Sequence, residues 1–264
     1  MRMTEQNPSE SKSASPSNRS GVVGAAPAGT ADEASASDAV REMFTSIAHR
    51  YDLLNHLLSM NVDRMWWSRT ARAFSDVLRK PGAQVLDLCC GTGDMTFALY
   101  RRAGTGSARL TGTDFSHAML VRAQQKSGTR PLHWVEADAL YLPFAADQFD
   151  LVTAAFGFRN LANYNRGLEE IYRVLAPGGE FGVLDFGEPK GFIGKVYRVY
   201  FRHVLPKIGT LVSGVRGPYA YLPASVLRFP PPEEILERMR ETGFSDVSWT
   251  PYTFGIAGLY RGKK

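Results

Sequence analysis

Short apolar runs at 84–89, 109–113, 132–136, 149–155 and 180–186 alternate along this chain with stretches whose apolar residues recur at helical spacing. The runs read as strands, and the helical pattern places helices near 94–102, 116–126 and 164–174. Ala176-Pro177-Gly178-Gly179 stops the third helix, because proline and glycine cannot continue it and turn the chain. Farther on, a helix at 232–242 ends at Gly243, and strands near 246–251 and 254–260 follow as a hairpin. Upstream, Trp67, Ala71, Phe74 and Leu78 stand at i, i+4, i+7 and i+11, the apolar stripe of a helix over 64–79. Strand and helix in alternation predict βαβ units and an α/β fold: a doubly wound, mainly parallel sheet closed by a C-terminal antiparallel hairpin. Ligands of such sheets lie at the strand C-termini.

The pattern begins late. Residues 1–38 are rich in Ser, Ala, Gly and Pro, lack aromatics and show neither period, so they are expected to be a disordered tail that cannot offset its ordering entropy. Residues 39–264 form the expected single domain, with an N-terminal helical cover and a lid insertion at about 188–230. An apolar fraction of 44% over 264 residues is ample for one core. The first 38 residues hold 3 basic and 5 acidic side chains, which leaves 28 basic against 21 acidic, a net charge of +7, on the rest. Such a balance suits an anionic membrane surface or nucleic acid, and equally an ordinary solvated surface. Within the lid, Ile193, Tyr197, Tyr200 and Val204 make one stripe and Lys195, Arg198 and Arg202 another, the pattern of a basic amphipathic helix that lies on a membrane or simply covers a site. No run has the length of a membrane span or a signal-peptide core, and a cytoplasmic protein is expected. Cys89 and Cys90, the only cysteines, are adjacent at the end of a strand and read as reduced packing residues.

The chemistry concentrates in Val85-Leu86-Asp87-Leu88-Cys89-Cys90-Gly91-Thr92-Gly93-Asp94, a strand running into a glycine turn. Gly91 and Gly93 let backbone N–H groups approach a ligand, and Asp114, about 20 residues on, is placed to accept hydrogen bonds from a ribose diol. A dinucleotide fingerprint requires a third glycine where this chain has Thr96, and Asp94 at the helix N-terminus would repel a diphosphate. A cationic sulfonium meets no such conflict, which makes S-adenosylmethionine the expected cofactor. His56, His117 and His133 lack ligand spacing, so no metal is expected.

Asp87, Gly91, Gly93, Asp114 and Asp138-Ala139 stand in the order and spacing of class I S-adenosylmethionine-dependent methyltransferases. That resemblance implies that Asp114 holds the ribose hydroxyls, Asp138 with Ala139 the adenine, and Gly91, Thr92 and Gly93 the methionine part. Asp87 either orders the turn or reaches the cofactor amine through water. From about Val40 to Lys264 the chain further resembles the ubiquinone/menaquinone biosynthesis C-methyltransferases. The motifs that carry this are Tyr51-Asp52-Leu53-Leu54-Asn55-His56-Leu57-Leu58-Ser59 with Trp66-Trp67, Phe156-Gly157-Phe158-Arg159-Asn160-Leu161, Arg173-Val174-Leu175-Ala176-Pro177-Gly178-Gly179 with Leu184-Asp185-Phe186, Tyr219-Ala220-Tyr221-Leu222-Pro223-Ala224-Ser225 and Phe254-Gly255-Ile256-Ala257-Gly258. Three positions depart from the family pattern: Asp63 replaces a histidine, Asp185 followed by Phe186 and Gly187 replaces a glutamate followed by Ser or Thr, and Ala155 removes a side-chain hydroxyl before the Phe-Gly step.

The resemblance implies methyl transfer to a ring carbon of demethylmenaquinol, the last step of menaquinone synthesis; a benzoquinol ubiquinone precursor or another lipid phenol is the alternative, and a nucleic-acid methyltransferase a remote one. Loss of the phenolic proton delocalises charge onto the ring carbon, and the sulfonium supplies an electrophilic methyl. Arg159, after the fourth strand, is the first candidate for stabilising the phenolate, or else makes an ion pair within the fold. Tyr51, Asp52 and Asn55 are candidates for orienting the quinol or relaying its proton; Tyr51 could equally cap the core, and Asp52 with Asn55 a helix. Asp63 and Asp185 read as structural before they read as bases. An isoprenoid tail remains in the bilayer at ~0.8 kcal/mol per buried CH₂, so the resemblance further implies transient work at the inner face of the cytoplasmic membrane, with helix 192–205 as the docking element and, as is common in the family, a homodimer.

Overall fold

A computed structural model describes residues 23–50, 61–104, 108–187, 189 and 218–264. Its centre is a seven-stranded sheet of order β3-β2-β1-β4-β5-β7-β6, built from β1 (Ala83–Leu88), β2 (Ala108–Asp114), β3 (Leu132–Glu136), β4 (Phe149–Ala155), β5 (Leu175–Phe186), β6 (Ser245–Tyr252) and β7 (Ala257–Lys263). The first five strands are parallel, and β7 runs antiparallel to both β5 and β6. The expected hairpin is therefore present, and its second strand, not its first, joins the sheet. A 3₁₀ turn at Thr253–Gly255 connects the two.

Successive strand residues face opposite sides, and the two sides bury separate clusters. Leu86, Leu88, Val152, Ala154, Phe181 and Val183 pack with α6 (Tyr164–Val174) and α8 (Pro232–Thr242). Val85, Leu151, Leu184 and Leu259 pack with α2 (Val62–Ala73), α3 (Ser75–Leu78) and α4 (Asp94–Ala103). The remaining described helices are α1 (Glu33–Ile47), α5 (His117–Ser127) and α7 (Pro218–Arg228).

The helix expected over 64–79 is two helices, α2 and α3, broken at Phe74 with φ −110° and ψ 23°. Phe74 is buried, and its ring lies on Gly182 of β5, where an added Cβ would come within 2.4 Å of the ring. The Arg261 guanidinium covers Phe74 from 5.0 Å. Phe74 fitted the helical stripe, but its packing on the bare backbone of β5 overrides the helical conformation. Gly182→Ala is therefore expected to destabilise the fold by about 1–3 kcal/mol through overpacking, read as a lowered midpoint in urea at unchanged m-value.

The tail expected over 1–38 is a second correction, because α1 begins inside it. Asp32 caps that helix, its Oδ1 accepting from the Ser35 N–H at 2.8 Å, and the Asn163 side chain donates to Glu33 Oε1 at 2.7 Å. Ahead of the cap, the Ala25 N–H donates to the Leu161 carbonyl at 2.7 Å, and Gly24 lies so close that a Cβ would be 2.1 Å from the same oxygen. A low-complexity composition conceals a capping box and a strap whose small residues are needed for close approach.

Candidate active site

The sheet reverses its direction of growth between β1 and β4, which opens a crevice at their C-terminal ends. Two non-glycine residues leave these strands in the left-handed region, Cys89 with φ 51° and Phe156 with φ 57°. Such conformations cost of order 1–3 kcal/mol each and persist where their surroundings enforce them. Here the enforcement is contact between the two turns: a Cβ on Gly157 would stand 2.2 Å from Cys89 Cβ.

Beneath the glycine turn, buried Asp87 accepts from the Thr96 hydroxyl at 2.6 Å and the Thr153 hydroxyl at 2.8 Å. Those bonds tie the turn to α4 and β4. Burial outweighs them and pushes the Asp87 carboxyl up to about 7. Asp114, at the end of β2, accepts the Gly91 and Ser116 N–H groups, each at 2.9 Å, and burial raises it to about 6. Asp138 receives the Leu140 N–H at 2.9 Å, and Ala139 beside it is buried. The Thr92 hydroxyl accepts from Lys126 at 3.1 Å, and the same ammonium pairs with Asp94 at 2.8 Å. No local spacing links Lys126 to Asp94, 32 residues away, so sequence reasoning missed it.

Because both raised carboxyls stay protonated in the fold after they would ionise in the unfolded chain, the ligand-free protein binds more protons than the unfolded chain between about pH 4 and pH 6–7. Its stability is expected to be highest at the acidic end of that window and to fall as pH rises through it, by up to about 1.4 kcal/mol per pH unit for each group. Urea titrations from pH 5 to 8 check this, and Asp87→Asn is expected to flatten the upper part of the curve.

Two lobes occupy the crevice. The larger, about 650 Å³, is walled by Asp114, Phe115, Met119, Asp138, Ala139, Leu140, Phe156, Asn160 and Leu161, and α1 contributes Ser37 and Phe44. The smaller, about 370 Å³, is walled by Trp67, Asp87, Thr92, Asp94 and Met95; Cys89, Gly91, Ala155 and Phe156 belong to both. A hydroxyl pair, Thr45 with Ser116 at 2.9 Å, fastens α1 over the larger lobe. The Tyr221 hydroxyl of α7 donates to Asn160 Oδ1 at 3.2 Å from the other side. At the junction of the lobes Phe156 packs with Phe186 and Trp66, with ring centres 4.6 and 5.8 Å away. Sequence reasoning did not find Ser37 or Phe44, since nothing local marks a residue that reaches a pocket from another layer, and within the Phe156–Leu161 motif it singled out Arg159 and not Asn160.

Arg159 takes its alternative reading, the ion pair. Nη1 donates to Asp185 Oδ1 at 2.9 Å and to the Phe156 carbonyl, and the backbone N–H donates to Asp185 Oδ2 at 3.1 Å. The pair is buried, the guanidinium lies over the Phe186 ring at 5.1 Å, and Nε has no acceptor among the described residues. Arg159 thus stands behind the aromatic junction and grips the carbonyl of a residue that forms it. Asp63 is buried at the start of α2, where its carboxylate accepts the Arg64 N–H at 2.8 Å. Tyr51, Asp52, Asn55 and helix 192–205 lie outside the described residues. Both cysteines are free thiols, pushed up by burial.

The donor set fits the expected cofactor. Carboxylates at the ends of β2 and β3 suit a diol and an amino group, apolar side chains flank a space of heterocycle size, and the smaller lobe is acidic where a diphosphate would require cations. Comparison with known proteins agrees. A demethylmenaquinone methyltransferase of Deinococcus radiodurans is 49% identical over 236 residues, 88% of this chain and 95% of that protein. One from Thermus thermophilus is 49% identical over 84% of this chain and all of its own length. A Thermotoga maritima S-adenosylmethionine-dependent methyltransferase shares the fold at a TM-score of 0.59 and 18% identity, covering 85% of this chain and 99% of its own. The sequence profile of one family spans residues 32–264, capped helix and final strand included, and the chain belongs to that family, the ubiE/COQ5 methyltransferases.

Proposed function

We propose that this enzyme transfers a methyl group from S-adenosylmethionine to a ring carbon of demethylmenaquinol, giving menaquinol. The observation that carries the reading is the bilobed crevice, with Asp114 and Asp138 in its larger lobe and the Trp66, Phe156 and Phe186 rings at the junction. It is supported by the 49% identity to relatives named for that reaction. Asp114 and Asp138 would hold the adenosine end, and the turn at Gly91, Thr92 and Gly93 the methionine end. When bound, the cofactor supplies the electrophilic methyl.

The chain's own residues do the rest. Phe156, which lines both lobes and is backed by Trp66, offers an apolar ring to the aromatic substrate and excludes water, and positioning at near-attack distance supplies ~7–11 kcal/mol. The phenolic proton must leave before the ring carbon is nucleophilic; we assign its orientation and relay to Tyr51, Asp52 and Asn55. Arg159, paired with Asp185, holds the Phe156 carbonyl and so fixes a ring that lines both lobes; we assign to its guanidinium the further role of favouring the phenolate over the phenol. The isoprenoid tail places turnover at a membrane surface. Among the described residues no helix is long and apolar enough to cross a membrane.

Incubation with labelled S-adenosylmethionine and chemically reduced demethylmenaquinone in liposomes tests the reading. Label on the naphthoquinol ring is the expected result. Cofactor binding without transfer to that ring would overturn the substrate and direct attention to benzoquinols and other lipid phenols.

A further inference from the structure

The turn between β6 and β7 spends backbone strain on showing a phenylalanine to solvent. Thr253, Phe254 and Gly255 have φ of 45°, 57° and 87°, three left-handed residues in succession, two of them not glycine and one β-branched. Phe254 at their centre is 76% exposed, the most exposed large apolar side chain among the described residues. The strain secures no packing for that ring. What it secures is position, because the Trp66 indole N–H donates to Thr253 Oγ1 at 2.8 Å, and Trp66 is part of the aromatic junction where the lobes meet.

The neighbouring face of α2 is basic. Arg64, Arg69 and Arg72 are exposed, none of them joins a salt bridge among the described residues, and the helix's one acid, Asp63, is buried. Arg69 stacks over Tyr252 at 4.2 Å, which fastens this face to the root of the turn. Met65, 52% exposed, adds a second apolar side chain between the arginines and the turn's anchor, Trp66. Apolar tips amid unpaired cations fit an interface whose surface is anionic and whose interior is hydrocarbon.

We propose that the Thr253–Gly255 turn and the exposed face of α2 are a membrane-docking surface, with Phe254 and Met65 entering the headgroup layer of an anionic bilayer and Arg64, Arg69 and Arg72 meeting its phosphates. The proposal rests on the reading of a lipid quinol as substrate and deepens it: docking here brings the wall of the methyl-transfer junction, through Thr253 and Trp66, to the surface from which such a substrate arrives.

The test uses the full chain in co-sedimentation with vesicles of phosphatidylcholine and phosphatidylglycerol in equal parts, and with phosphatidylcholine alone. Phe254→Asn keeps a residue that tolerates the left-handed region, so the turn survives it. This variant is expected to partition about tenfold more weakly into the mixed vesicles. Arg64→Gln with Arg72→Gln should weaken binding roughly 30-fold at low salt, at about 1 kcal/mol per arginine, with little change on neutral vesicles. Wild-type partition retained by either variant would overturn the proposal. So would conversion of a dimer to a monomer by Phe254→Asn in sedimentation velocity, which would make the face a contact between copies of this chain. A tail-less demethylnaphthoquinol in solution separates the two readings. Equal turnover of it by wild type and variants, with slower turnover of the long-tailed quinol in vesicles by the variants, supports docking. Failure of the wild type on the tail-less quinol would count against the reaction, while vesicle partition would still decide the docking surface.

Discussion

Asp114→Ala is expected to abolish cofactor binding in calorimetric titration. The carboxylate has two tasks at once. It receives the Gly91 and Ser116 N–H groups, which fixes the glycine turn to the end of β2, and under the proposed function it also accepts the two ribose hydroxyls. A hydrogen bond to a charged group contributes about 1.5–3 kcal/mol, so loss of the two ribose contacts alone weakens binding by about 10²–10⁴-fold, and loosening of the turn adds to that. Asp114→Asn is a partial case, since its single amide oxygen keeps one of the two backbone N–H groups while its NH₂ opposes the other and the charge is gone; intermediate affinity is the expected result. Normal binding by the alanine variant would remove the larger lobe as the adenosine site.

The second large effect concerns the buried pair of Arg159 and Asp185. Arg159→Met leaves the Asp185 carboxylate without its cation in the interior, which costs about 3–5 kcal/mol, and unfolding in urea should show it. Arg159→Met with Asp185→Asn removes both charges while an amide oxygen stays available to the Arg159 or Phe186 N–H, and is expected to recover part of that stability. Single-turnover methyl transfer then distinguishes structure from chemistry. If the guanidinium favours the phenolate, the double variant folds and binds cofactor but transfers at least tenfold more slowly; full transfer by a stable double variant would confine Arg159 to the fold.

What was legible from sequence follows from how local each cause is. Four of the five parallel strands could be placed because their apolar runs are bounded by turns, whereas β5 begins at Leu175 and runs, with a register shift, through the Ala176-Pro177-Gly178-Gly179 expected to be a turn; the crevice could be placed because a glycine turn and carboxylates at strand ends have fixed spacing. Phe74 could not be read, since the helical stripe it completes is the same whether or not its ring lies on Gly182. The strap at Gly24 and Ala25 was lost for a related reason: close backbone approach demands small residues, and small residues in series look like disorder. Ser37, Phe44 and Lys126 reach the site across layers, and only tertiary structure relates them to it. Arg159 stands out in the sequence by its place after β4, but its partner lies 26 residues away on β5, and that separation leaves its two readings open.

The order of the last strands bears on how the protein is made. β7 leaves the ribosome after β6, yet it is β7 that lies between β5 and β6. Until β7 is in place, β5 presents an open edge and β6 has no partner, which is the state of a sheet most prone to pairing with another chain. The sheet is therefore completed in one late step, and a chain truncated ahead of Ala257 should be held by chaperones where the full chain is not.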